Sequence, residues 1–199
     1  PALSLWVDNA GTLVDDFDVQ VGGIPFDVVV MLDSDGQDVS LVDWGMTNLL
    51  QVAPGVFKLG VASLVGSCGF IPENCFDGNY TVYMYACQPA GAQIEVIRIS
   101  YLDASGAIGQ DVVMEIGANG QAAIPTSPGF LDCDDLPVAA PMDGPSGGET
   151  ASGTVWPPGG IILNPTRPIP VESSGMSMLK LRSETVSVSP DIASDPETE

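Results

Sequence analysis

Apolar and polar residues alternate with a period of two along most of the first two thirds of the chain. In PFDVVVML, Phe26, Val28, Val30 and Leu32 fall on one face, the arrangement of a strand with one side against a core. In QDVVMEI, Val112, Met114 and Ile116 face one way while Asp111, Val113 and Glu115 face the other. The same pattern marks strands at ALSLWVDN, VSLVDWGMTNLL, GVFKLGVASL, YTVYMYACQ and AQIEVIRISYLD. Helical spacing fits poorly anywhere. Turn formers fill the gaps, as DSDG, APG, FDGN, PAGA and DASGAIG, because Asp, Asn, Gly and Pro adopt the tight or left-handed backbone that a reversal needs. Short strands punctuated in this way predict an all-β fold, an antiparallel β-sandwich of Ig-like or jelly-roll-like kind. Asp27, Asp43, Glu95 and Glu115 alternate with apolar neighbours and are expected on its solvated face.

Beyond about residue 124 the alternation fades and Pro, Gly and Ser accumulate. The expected division is a sandwich over 1–135 and an extended arm over 136–199. Alternation returns within the arm at SMLKLRSETVSVS, which predicts an extra strand over 176–189. No repeat of about 20 to 50 residues marks a solenoid or propeller.

The chain has 199 residues, 45% of them hydrophobic, which suits one domain with a sizeable core. Its 26 acids against 5 bases give a net charge of −21, and that excludes phosphate-backbone recognition, which needs clustered Lys and Arg. Nucleic acid is therefore not an expected partner. No apolar run approaches the roughly 20 residues of a membrane span, so membrane insertion is not expected. The opening PALSLWVDNA has no basic leader region. A chain that starts at Pro1 fits removal of an export signal.

Cys68, Cys75, Cys87 and Cys133 are an even set, and in an exported chain two disulfides are the leading reading. Four cysteines allow three connectivities. The preferred one joins Cys68 to Cys75 across CGFIPENC and Cys87 to Cys133, from the end of a strand to the segment after the last clear one. A zinc site made by all four is the alternative, but the paired short C-x-x-C spacings usual for structural zinc are absent.

The acids suggest a calcium site. DSDGQD carries Asp33, Asp35 and Asp38, and LDCDD carries Asp132 and Asp134; VDDFD is a third cluster. DSDGQD is not an EF-hand, because Gly36 stands fourth rather than sixth and Trp44 occupies the twelfth position. It reads as a strand-connecting turn, or as half of a calcium site that borrows carboxylates from another loop.

With no histidine in the chain, Ser-His-Asp, Cys-His and His-bearing metal centres are excluded. No carboxylate pair is singled out for glycoside hydrolysis and no phosphate loop occurs, so no catalytic residue is assigned and an enzyme is not expected. Trp6, Trp44, Tyr80, Tyr83, Tyr85 and Tyr101 are candidates for a glycan platform, with Tyr83 and Tyr85 on one strand face, set against ordinary core packing. NYT at Asn79 is an N-glycosylation acceptor pattern.

The segment VGGIPFDVVVMLDSDGQDVSLVDWGMTNLL, followed by APGVFKLG, resembles the opening of cohesin-type secreted sandwich modules. There a G-x-x-F-x-V-x-V strand precedes a second strand, a helix-free turn and a Pro-Gly. YACQPAGAQIEVIRISYLDASG and GFLDCDD are similar to cysteine-bearing stretches of exported bacterial sandwich proteins. The resemblance spans residues 20 to 135. It implies a secreted sandwich, stabilised by calcium, that contacts a protein or a glycan.

These observations combine into an expected extracellular or cell-surface structural subunit that assembles with copies of itself into a filament, tube or layer. The mechanism is strand addition, with Leu3 and Leu5 at the N-terminus and Leu179, Leu181, Val186 and Val188 in the arm as the contacts. A surface binding module for a glycan or protein ligand is the alternative.

Overall fold

The computed structural model describes residues 1–68, 75–76, 78–89, 91, 93–144 and 146–167. Two antiparallel sheets face each other. In the first, β1 (Ala2–Asn9) pairs with β4 (Phe26–Asp33), β4 with β10 (Gln93–Asp103), and β10 with β6 (Val56–Ala62), while the short β2 (Thr12–Val14) closes the far edge. In the second, β5 (Val39–Met46) and β9 (Asn79–Gln88) form the centre, flanked by β7 (Gly66–Cys68) on one side and by β13 (Gly129–Leu131) and β14 (Pro137–Ala139) on the other. β8 (Cys75–Phe76) adds to β9, and β12 (Ile116–Gly117) adds to β5. A small third sheet places β15 (Ile161–Leu163) between β11 (Val112–Met114) and β3 (Asp16–Phe17), with β15 and β3 parallel.

The alternation seen in the sequence is the core. Phe26, Val28, Val30 and Leu32 are all buried, as are Leu3, Leu5 and Val7 opposite them on β1. They meet Val42, Trp44, Tyr80, Val82 and Phe130 of the other sheet. Trp44 stacks on Tyr80 with ring centroids 5.3 Å apart and planes 11° from parallel. Trp44 is wholly buried and belongs to the core, so it is not part of a glycan platform.

Four features depart from the sequence reading. QDVVMEI breaks at Glu115 into β11 and β12, which serve different sheets, because Thr47 captures the Glu115 backbone: its hydroxyl accepts the Glu115 N–H at 2.9 Å and its N–H donates to the Glu115 carbonyl at 2.9 Å. The stretch after β5 is not helix-free, since Leu49–Val52 forms one turn, α1, capped by the Asn48 carboxamide oxygen, which accepts the Gln51 N–H. Asp43 is not solvated. The 118–127 segment lies over it, as the absence of a side chain at Gly45 allows: a Cβ there would stand 2.3 Å from the Ala118 carbonyl oxygen.

The fourth departure concerns the arm. The compact unit runs from Pro1 to Pro168, not to residue 135. Residues 141–144 run along the part of β1 that β2 leaves unpaired, with Leu3 N–H donating to the Pro141 carbonyl and Asp143 N–H to the Leu3 carbonyl. β14 and β15 are strands of the sheets, so a Pro/Gly-rich segment here supplies short pairings instead of a tether. Asp111 fastens its end: it accepts the Thr166 N–H at 2.5 Å and the Thr166 hydroxyl at 2.8 Å, and also the hydroxyls of Ser152 and Thr154. The strand expected over 176–189 lies outside the described residues.

Candidate binding surfaces

The outer face of the first sheet is built by the residues that alternate with its core positions. Ala2, Ser4 and Trp6 lie in a row on β1. Across the sheet, Trp6 aligns with Val29 and Val29 with Arg98, while Ala2 aligns with Asp33 and Asp33 with Gln93. Arg98 is shared among Glu95, Asp8 and Asp27: Nε donates to Glu95 Oε1 at 3.0 Å and Nη2 to Oε2 at 3.1 Å, while Nη1 donates to Asp8 and, at 3.3 Å, to Asp27. Hydrogen bonds to these carboxylates, Glu95 first, raise the Arg98 pKa further, and the Arg98 guanidinium in turn holds the Asp8 carboxyl below its ordinary value.

Edge strand β6 differs. Phe57 is 56% exposed, Leu59 52% and Val61 36%, and Val52 of α1 and Leu64 are exposed as well. A shallow cavity lies over Leu50, Val56, Phe57, Leu59 and Val61. β6 pairs with β10 on one side and has no partner strand on the other among the described residues. Long apolar edges are uncommon, because unpaired N–H and C=O groups beside apolar side chains invite another strand. Alternation in GVFKLGVASL marks a strand but not its inner face; Val56 and Lys58 turn out to face inward, beside Asp103 and Tyr101 of β10.

The cysteines pair as Cys68–Cys75 and Cys87–Cys133, with Cα–Cα distances of 5.9 and 5.8 Å. The four-cysteine zinc alternative is thereby excluded. The acids expected to bind calcium do not converge. Among the described residues, the one group of three candidate ligand atoms within 4.8 Å is Asp38, Cys87 and Cys133, and both sulfurs of that group are tied in a disulfide. Asp33 accepts the Asp35 N–H, and Asp132 accepts those of Asp134 and Leu136, so DSDGQD and LDCDD are turns braced by their own carboxylates. Asp38 does reach the LDCDD loop, accepting the Cys133 N–H at 3.2 Å. In VDDFD, Asp16 and Asp18 are engaged by Arg167.

Asn79 lies half-buried in β9 with its side-chain oxygen accepting the Gly120 N–H. Tyr83 and Tyr85 are 45% and 71% exposed on the outer face of β9. Leu3 and Leu5, expected as assembly contacts, are fully buried in the chain's own core, because β1 is already paired with β4 along its length. Leu179, Leu181, Val186 and Val188 lie outside the described residues.

Two buried carboxylates escaped the sequence reading. Burial pushes Asp103 up, but N–H groups of Ile108, Ala107, Ser105 and Gly106 outweigh it and hold the carboxyl below its ordinary value. Asp43 Oδ2 accepts from the Thr81 hydroxyl, the Asn119 amide and the Ala123 N–H. The DASG sequence announces the first. Nothing local announces the second, whose donors come from distant segments.

Fold and disulfides together define a disulfide-linked two-sheet β-sandwich module. No helix among the described residues is long and apolar enough to cross a membrane. No family model and no curated protein matches the sequence. Solved structures do match the fold. A chain of the crystal structure of a CaDoc0917 variant in complex with CaCohA2 at pH 5.5 superposes with a TM-score of 0.50 at 12% identity, over 83% of this chain and 100% of that one. The solution structure of CaCohA2 from Clostridium acetobutylicum gives 0.44 at 11% identity, over 83% of this chain and 91% of that one. The chain is thus similar in fold to a cohesin module.

Proposed function

We propose that the protein is an extracellular binding module, not an enzyme, and that its ligand is another protein which docks along β6. The observation that carries this reading is the apolar edge: Phe57, Leu59 and Val61 exposed on a strand with an unoccupied side among the described residues. An extended partner segment there gains main-chain hydrogen bonds from the edge and apolar contact from Phe57 and Leu59. The net charge of −21 selects a partner with a basic surface and works against a second copy of the same body. CaCohA2, which shares the fold, is found in a complex with CaDoc0917. Two disulfides support a location outside the cell, where such bonds persist.

The test is selection of a displayed peptide library on the wild-type chain and on the Phe57→Asp/Leu59→Lys variant. Extended peptides with apolar and basic residues are expected from the wild type and not from the variant. Equal enrichment on both sinks the proposal. Sedimentation velocity across salt concentration covers self-assembly, the other function read from the sequence: salt-promoted dimers or polymers abolished by the same variant would make the partner a second copy.

A further inference from the structure

A different part of the molecule holds a separate cavity. At the Ala2 end of the outer face of the first sheet, a cavity of about 400 Å³ is lined by Ala2, Ser4, Trp6, Asp33, Gln93 and Asp143. These residues come from β1, β4, β10 and the 141–144 segment, so the cavity exists only because that segment packs along β1.

Trp6 is the exceptional tryptophan. Trp44 is fully buried and Trp156 is 9% exposed, whereas Trp6 is half-buried on the cavity wall. Its Nε1–H donates to the Ser4 hydroxyl at 3.0 Å, which fixes the indole along the strand and satisfies its one donor within the chain. The indole therefore offers the cavity only its apolar and π surface. Asp33 and Asp143 are exposed, and each spends one oxygen on a local turn: Asp33 Oδ1 accepts the Asp35 N–H, and Asp143 Oδ1 the Gly144 N–H. Neither has an ion-pair partner among the described residues. Arg98, on the same face, does not serve them, because Glu95, Asp8 and Asp27 already surround it.

We propose that this cavity takes a cationic organic group, a guanidinium or an ammonium, with Trp6 as its aromatic wall and Asp33 and Asp143 as its counter-charges. An aromatic face attracts a cation through its quadrupole, and carboxylates pair with guanidinium or ammonium through charge-assisted hydrogen bonds. Gln93 adds a neutral amide beside them. The group can come from an Arg or Lys side chain of a partner or from a small free amine; the chemistry is shared. The site stands independently of the reading of β6, from which it is separate in its lining residues.

The test uses the intact chain and tryptophan fluorescence, in which Trp6 is the reporter nearest solvent. N-acetyl-arginine amide, N-acetyl-lysine amide, tetramethylammonium, the neutral N-acetyl-citrulline amide, a neutral oligosaccharide and calcium are each titrated at low salt. The proposal expects saturable quenching by at least one cationic probe, none by citrulline amide, and a weakening of tenfold or more in Asp33→Asn/Asp143→Asn with an unchanged melting temperature. Binding of the amino-acid amides points to a protein side chain as the source; binding of tetramethylammonium alone points to a small amine. Because Trp6→Ala could disturb the sheet, Trp6→Phe serves as the second variant and should bind more weakly while folding normally. No saturable response to any cationic probe, equal response to citrulline amide, or binding confined to calcium or the oligosaccharide would overturn the proposal.

Discussion

Removing the two disulfides separately should cost different amounts of stability, in an order set by where each lies in the chain. Cys87–Cys133 spans a sequence separation of 46, whereas Cys68–Cys75 spans 7. In the chain-entropy treatment, the constraint on the unfolded state grows with the logarithm of the loop. That relation gives about 4 kcal/mol for the long loop and about 2.4 kcal/mol for the short one at 25 °C. Neither bridge carries compensating structure that would invert the order: Cys87–Cys133 joins the end of β9 to the turn after β13, and Cys68–Cys75 joins β7 to β8, both already paired to β9. The assay is urea unfolding of Cys87→Ala/Cys133→Ala and Cys68→Ala/Cys75→Ala, followed by tryptophan fluorescence, to which the buried Trp44 and Trp156 contribute. The long-loop variant should lose about 1.6 kcal/mol more than the short-loop variant. For a domain of this size that difference corresponds to a melting temperature lower by roughly 3–6 °C. Equal losses, or a greater loss in the short-loop variant, would refute the entropic reasoning and mean that native contacts around residues 68 and 75 dominate.

Acid sensitivity should centre on Asp111. The hydroxyl of Ser152, then the Thr166 N–H, draw its pKa down to about 2, below the unfolded value, so the stabilisation is present above about pH 4 and disappears as pH falls through the folded value. Asp111→Asn should therefore flatten the decline of melting temperature between about pH 4 and pH 2; an unchanged slope would remove Asp111 as the cause. Leu5→Ala should destabilise by about 2–5 kcal/mol in denaturant unfolding, since Leu5 is wholly buried; a loss under about 1 kcal/mol would mean that β1 is not part of the core. Asp103→Ala should cost about 3 kcal/mol by leaving the buried Ile108 N–H and the part-buried Ser105 and Ala107 N–H groups without an acceptor, and a near-neutral result would show that water or another group replaces the carboxylate.

Strands β1, β4 and β10 were legible because each has one face on the core, and a period of two is the direct imprint of that asymmetry. The same signal misplaced Asp43, because it reports which residues share a face and not what covers that face: the 118–127 segment buries Asp43 from the side taken to be solvent. It also says nothing of residues 137–163, where pairings of three residues are too short to display a period. DSDGQD is legible as a turn because Asx turns need only neighbouring residues. Trp6 was legible as a candidate exposed aromatic, but its cavity was invisible in the sequence for the opposite reason. Asp33 and Asp143 are separated by most of the chain, and only the parallel run of residues 141–144 beside β1 brings them to one place.

The few cations of the domain bear on both proposed surfaces. Within residues 1–167 the bases are Lys58, Arg98 and Arg167. Arg98 and Arg167 are surrounded by carboxylates, and Lys58 turns inward to donate to the Cys75 carbonyl at 2.6 Å and to lie 5.1 Å from the centre of the Tyr80 ring. Each positive charge is thus committed within the chain, and the surplus of acids stands on the outside. On the proposed readings a partner brings the positive charge, and the two surfaces should feel salt differently. Contact along β6 would combine apolar and main-chain contact with the attraction of a basic segment to an acidic domain, so between about 50 and 500 mM salt it should weaken less steeply than capture of a cationic group beside Trp6, which rests on charge as the Debye length contracts. A single partner that bridged both would show a fast, salt-sensitive association followed by a slow, salt-insensitive dissociation. Variants at Phe57 would then change the second rate and variants at Asp33 the first.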